Sequence, residues 1–112
     1  MSKTIRHYAG TLKKLNKYSD KEKKKWLKLH LDKSFVHCVC ECAKNILKGN
    51  VPLSRGQKIK LKQRRSKLRQ LVKHRVSLKK KKAIIQSGGF LGAILGPIVS
   101  ILSGLFGGNA QR

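Results

Sequence analysis

Apolar residues recur at intervals of three or four along most of this chain, which is the spacing of amphipathic helices. A weak stripe of this kind runs through the first 18 residues and is interrupted at Gly10. A continuous apolar face follows, formed by Leu27, Leu31, Phe35, Cys38, Cys42 and Ile46. The pattern predicts a short first helix and then a long helix over residues 19–48.

The predicted ends of the long helix carry residues that suit them. Ser19 and Glu22 have the S-x-x-E spacing, in which each side chain accepts a hydrogen bond from a free amide at a helix N-terminus. Gly49 follows the last apolar position, and glycine readily adopts the left-handed conformation that closes a helix. Both signals support a helix between these points.

Two further helices are predicted in the second half of the chain. Ser54 and Gln57 repeat the capping spacing, and the apolar positions after them form a narrow stripe over residues 54–73. Ser77 is a suitable N-cap for a basic helix over residues 78–86. We expect the helices over 19–48 and 54–73 to form a hairpin.

The segment over residues 87–108 contains no charged residue. Small residues occupy every fourth position within it, at Gly92, Gly96, Ser100 and Gly104. On a helix they form a straight ridge that allows close approach of another helix, above all in lipid. As a helix, residues 90–106 are about 26 Å long, whereas the hydrocarbon layer is about 30 Å thick. The segment is therefore marginal as a membrane span.

The predicted fold class is all-α: a small helical hairpin, a basic helix and an apolar, glycine-rich C-terminal helix, partly extended or disordered without partners. We expect four parts along the chain. Residues 1–53 form an N-terminal helical region and residues 54–86 form basic, nucleic-acid-binding helices. Residues 87–89 form a diglycine hinge, and residues 90–112 form an apolar tail.

The charge of the chain is strongly unbalanced. Twenty-eight Lys and Arg face four carboxylates, which gives a formal net charge of +24, and no Asp or Glu follows Glu41. Such a chain needs a polyanion, and nucleic acid is favoured because each phosphate contact releases counterions. No aromatic residue lies between Phe35 and Phe90 to stack on bases, so we expect backbone binding without base preference. The predicted DNA-contacting residues are Arg55, Lys58, Lys60, Lys62, Arg64, Arg65, Lys67, Arg69, Lys73, Arg75, Lys79, Lys80, Lys81 and Lys82.

Catalytic and metal-binding constellations are missing from the sequence. Cys38, Cys40 and Cys42 lack the paired C-x-x-C spacing of zinc sites, and we expect Cys38 and Cys42 to pack as small apolar side chains. The spacing of His37 and Cys38 points their side chains apart on a helix, and no phosphate-binding glycine loop occurs. We expect no enzyme activity, no metal and no cofactor.

The run NILKGNVPLSRGQKIKLKQRRSKLRQLVKHRVSLKKKKAIIQSGGFLGAILGPIVSILSGL resembles the small basic proteins of Polinton (Maverick) elements and adintoviruses. Those proteins are similar in layout to the precursor of the adenovirus core peptide X, or Mu: a polycationic stretch, a diglycine, and an apolar tail. The resemblance covers about residues 45–106. It implies a virion DNA-condensing protein and proteolytic cleavage after the diglycine, here at Gly88, Gly89 and Phe90.

These observations predict a core protein that binds double-stranded DNA without sequence specificity, in the virion and the host nucleus. The tail would serve in processing, docking to capsid proteins or self-association. The alternative is a membrane-active protein, in which the basic run binds anionic lipid and the tail inserts. A cellular histone-like or ribosomal protein would explain the charge but not the tail.

Overall fold

The computed structural model describes the backbone of residues 3–110 and the side chains of residues 3–102. Residues 3–110 form eight helices and no strand, which confirms the all-α prediction. The helices are α1 (Lys3–His7), α2 (Ala9–Lys17), α3 (Asp20–His30), α4 (Lys33–Leu47), α5 (Arg55–Lys62), α6 (Arg65–Leu71), α7 (Leu78–Gln86) and α8 (Phe90–Ala110).

The predicted helix starts are formed by the expected hydrogen bonds. Ser19 Oγ accepts from the Glu22 amide at 3.2 Å, and Glu22 Oε1 accepts from the Ser19 amide at 3.0 Å. Ser54 and Gln57 make the same reciprocal pair at the start of α5. Ser77 Oγ accepts from the Lys80 amide at the start of α7. Local capping chemistry therefore sets where α3, α5 and α7 begin.

The long helix predicted over residues 19–48 is wrong, because the chain breaks after His30 and restarts as α4. Asp32 is the N-cap of α4, and its Oδ1 accepts from the Phe35 amide at 2.8 Å. The break allows the Trp26 ring of α3 to contact the Phe35 ring of α4, with centroids 4.9 Å apart. The aspartate cap and this aromatic contact replace the helical hydrogen bonds lost at the break.

The helix predicted over residues 54–73 is also divided, into α5 and α6, and it ends at Leu71. The two pieces have different partners: α5 packs on α8, whereas α6 packs on α4 and α7. A straight helix would not bury Leu61 and Leu68 against both sets of partners. The helical hairpin survives as the packing of α6 on α4.

The first helix breaks at Tyr8, whereas Gly10 lies inside α2. The Tyr8 hydroxyl donates to Ser34 Oγ at 2.9 Å, and its ring lies edge-on to Phe35, with centroids 5.4 Å apart. Anchoring of this side chain on α4 therefore places the break at Tyr8.

α8 is the central helix of the fold. It is contacted by α2, α4, α5 and α7, and Pro97 lies within it. A helix that is apolar all round must be buried in a core or a membrane, and here the core is made by its neighbours. The buried side chains of α8 are Phe90, Leu91, Ala93, Ile94, Leu95, Ile98 and Leu102.

The structure therefore differs from the expected partly extended chain with a tail beyond its core. The tail packs into the helical body, and the Cα radius of gyration of 13.4 Å equals the roughly 13 Å of a compact domain of this size. The reason is composition: the hairpin helices have narrow apolar stripes, and α8 supplies the apolar surface that these stripes need.

Candidate nucleic-acid interface

The fourteen predicted DNA-contacting cations of residues 55–82, here called the basic surface, lie on α5, α6, α7 and their connections. All are exposed except Arg64, Lys81 and Lys82, which are half-buried. The inward faces of these helices carry the buried Leu61, Leu68, Leu71, Ile84 and Ile85. Burial of the apolar stripes turns the cations outward.

One row of the basic surface borders a groove between α4 and α5. Lys58, Lys62 and Arg65 follow one another along the same side and line this groove of about 330 Å³, together with the buried Ile46 and Leu61. No acid lines the groove, so the repulsion among the three cations is not relieved there by a carboxylate.

A second row reaches the diglycine turn, which is formed by residues 87–89. Lys67 Nζ donates to Ser87 Oγ at 3.0 Å. Arg64 Nη1 donates to the Lys60 carbonyl oxygen at 3.1 Å, and a Cβ built on Gly89 would lie 2.7 Å from Arg64 Nη2. The guanidinium therefore lies where a side chain would stand in any residue other than glycine.

The carboxylates of the chain are used elsewhere. Glu22 and Asp32 cap helices, and the amide and hydroxyl of Ser19 lower the pKa of the Glu22 carboxyl from its ordinary value. Glu41 Oε1 lies 3.7 Å from His37 Nε2, and this is the one ion pair among the described side chains. The described cations of the basic surface are thus left without carboxylate partners.

Sequence reasoning missed a second group of cations, on α3. Lys21, Lys24, Lys25 and Lys28 are all exposed and follow the i, i+3, i+4, i+7 spacing of one helix face. We call this group the lysine stripe. Its spacing is readable in the sequence, but the same periodicity was considered only for apolar residues.

The three cysteines have different surroundings. Cys38 and Cys42 are buried in the core, as the apolar pattern predicts, and Cys40 is half-buried. A hydrogen bond with the Cys38 thiol, together with burial, raises the pKa of Cys42 well above its ordinary value of 9.0. Burial also raises the pKa of Cys40. Since the thiolate is the nucleophile and the metal ligand, these surroundings disfavour both roles.

Metal ligands do not converge in the described part of the chain. Among the side chains of residues 3–102, no three His, Cys, Asp or Glu lie close enough to hold a metal ion.

The predicted cleavage site lies between an exposed and a buried residue. Gly88 and Gly89 are exposed, whereas Phe90 is 0% exposed and begins α8. Binding of the bond between Gly89 and Phe90 in a protease cleft would require Phe90 to leave the core. Cleavage here stays a prediction, and it requires local unfolding.

The predicted helix-packing ridge lies on the outer side of α8. Gly92 has no atom within 4 Å of a built Cβ, Gly96 has only Gln57 Nε2 at 3.6 Å, and Ser100 is exposed. The side-chain surroundings of Gly104 lie outside the described residues. No helix therefore packs closely on the described part of the ridge, and self-association through it stays a prediction.

Membrane-spanning capacity was considered for the described helices. None of them is long and apolar enough to cross a bilayer alone. Leu78–Gln86 and Phe90–Leu102 reach the required length and composition only as a pair, and they meet at 85°.

Comparison with protein-family models, with curated proteins and with solved structures finds no match to this chain. What the geometry defines is a small all-α protein with unpaired cations on its described surface. The fold, the basic surface and the diglycine turn are the observations on which a function is proposed.

Proposed function

We propose that this protein binds double-stranded DNA through its phosphates, without sequence preference, and condenses DNA in a virion core. The observation that carries the proposal is the basic surface: fourteen cations on three consecutive helices, with apolar faces turned inward and no carboxylate partner among the described side chains. A duplex carries about one charge per 1.7 Å of its axis, so it neutralises such a surface efficiently.

The composition of the basic surface favours backbone contacts. Nine of its cations are Lys and five are Arg. Lysine acts as a point charge on a flexible stem, whereas base recognition relies mainly on the planar, forked arginine. Contacts made by lysine neutralise phosphate charge without reading the bases.

The aromatic residues also favour binding without base readout. Tyr8, Trp26 and Phe35 pack against one another at the junction of α1, α3 and α4. Phe90 is buried at the start of α8. These rings therefore hold the fold together and are not free to stack on bases, as sequence-reading single-strand binders require.

The virion and host-nucleus setting rests on the resemblance of residues 45–106 to the Polinton and adintovirus basic proteins. In that setting the outer side of α8 would contact capsid proteins or a second copy. The membrane alternative stays a prediction, and it requires the apolar side chains of α8 to leave the core that they form.

The test is a salt titration of binding to two duplexes of unrelated sequence. If six phosphates are contacted, log K against log salt has a slope of about −5, equal for both duplexes. The variant K58Q/K62Q/R65Q should have a slope about 3 shallower on both, because it removes three contacts. A slope near zero, or a tenfold preference for one duplex, would overturn the proposal. Light scattering with long DNA then measures condensation.

A further inference from the structure

The lysine stripe of α3 is a charged feature that the basic surface does not include. Its four lysines span about 10 Å of helix. The opposite face of α3 holds the buried Leu27 and the half-buried Trp26, so the stripe points away from the core. Lysines at i,i+3 and i,i+4 repel one another, and an isolated helix of this sequence is weakened by that repulsion.

Neighbouring acids do not neutralise the stripe. No carboxylate oxygen lies within 4.0 Å of its ammonium groups in the described part of the chain. Glu22 on the same helix accepts the Ser19 amide hydrogen bond, and Asp32 beyond it accepts from the Phe35 amide. The lysine at position 23, by contrast, donates to the Tyr18 carbonyl oxygen at 2.6 Å and belongs to the fold, not to the stripe.

The stripe approaches the diglycine turn. A cavity of about 300 Å³ is lined on one side by Lys21 and Lys24 and on the other by Gly88 and Gly89. Arg64 and Lys67 of the basic surface reach the same turn without lining this cavity. Cations from α3 and α6 therefore flank a turn whose largest side chain is that of Ser87.

We propose that the lysine stripe is a second phosphate-binding site, which holds the same duplex that the basic surface binds, across the diglycine turn. The inference rests on the proposed function and extends the interface beyond residues 55–82. A stripe of about 10 Å matches about three phosphates of one strand at 3.4 Å per charge. The low profile of the turn lets a backbone pass between the two groups of cations.

The test is a graded pair of variants in the full-length protein, K21Q/K24Q and K21Q/K24Q/K25Q/K28Q. Glutamine preserves helix propensity while removing charge. We expect slopes of log K against log salt that are shallower by about 2 and by about 3.5. For the first variant, doubling the salt would then weaken binding about 3.5-fold less than it does in the wild type.

The matched control is K3Q/R6Q, which removes two exposed cations from α1, a helix that packs on α2 and α4. Its slope should equal that of the wild type. A steep wild-type slope with unchanged slopes in both stripe variants overturns the second site and leaves the proposed function standing. An equal loss in the control also overturns it, since net charge would then suffice. A flat wild-type slope overturns the proposed function itself.

Folding of each variant is checked by circular dichroism and urea unfolding. Because Leu27 is the buried residue of α3 and is retained, the lysine changes should leave the helix content as in the wild type.

Discussion

Gly49 and Gly89 have nearly the same backbone conformation, with φ of +77° and +74°. Gly49 closes α4 and has no atom within 4 Å of a built Cβ, whereas Gly89 precedes α8 and meets Arg64. A residue with a Cβ in the left-handed region costs about 1–2 kcal/mol. Both positions therefore require glycine for its backbone, and Gly89 requires it for space as well.

Gly49→Ala and Gly89→Ala should each lower the free energy of unfolding by about 1 kcal/mol or more, measured in urea. The added cost at Gly89 should be small, because the end of a flexible arginine can move aside. Gly56→Ala is the control: this glycine lies inside α5 with open space around it, so the change should stabilise by about 0.5–1 kcal/mol. An unchanged Gly89→Ala variant would contradict the left-handed turn.

The two glycines also show what single residues reveal. Gly49 was predicted as a helix stop from its place after the last apolar residue, and its positive φ confirms this. The diglycine was predicted as a hinge or cleavage site, because sequence does not show that Phe90 is buried. Local conformation was readable at both sites, whereas the surroundings were not.

At the scale of helices, the break between α3 and α4 depends on Asp32. In an uninterrupted apolar pattern an aspartate is easily taken as one more exposed helical residue. In the structure its side chain satisfies the Phe35 amide at the start of α4. The favourable cap, the negative charge at a helix N-terminus and the contact of Trp26 with Phe35 together favour two helices over one.

Asp32→Ala should lower the free energy of unfolding by about 1 kcal/mol, because the Phe35 amide loses its acceptor. Asp32→Asn removes the same charge but keeps a capping oxygen, so it should remain within a few tenths of a kcal/mol of the wild type. Chemical unfolding of the three proteins measures both. Equal losses in the two variants would show that charge, and not capping, is what Asp32 contributes.

The capping residues at Ser19, Ser54 and Ser77 were predictable because each signal lies within a few residues of the helix it starts. The division between α5 and α6 was not, since no proline or glycine marks it. It follows from the different partners of the two helices. Breaks caused by packing leave no local signal.

At the scale of the molecule, α8 joins the other helices into one core. Ile98 is 0% exposed on its inner side, and Ser100 on its outer side donates to the Gly96 carbonyl oxygen at 3.0 Å. Domains of this size have stabilities of about 5–15 kcal/mol, so a large cavity in the central helix threatens the whole fold.

Ile98→Ala should lower the free energy of unfolding by about 2–5 kcal/mol through lost burial and the cavity left behind. Ser100→Ala, two positions away on the exposed side, should change it by less than about 0.5 kcal/mol. Urea unfolding with circular dichroism measures both changes. A mild effect of Ile98→Ala, equal to that of Ser100→Ala, would mean that α8 is not part of the core.

Local information in the chain was enough for the helical class, three helix starts, one helix stop and the basic surface, because capping, periodicity and charge act over a few residues. The burial of α8, the two breaks and the approach of α3 and α6 to the diglycine turn depend on which helices share a core. Such contacts join residues far apart in sequence. The apolar segment thus read as a tail in the sequence and became the centre of the molecule in the fold, because the narrow stripes of its neighbours bury themselves against it.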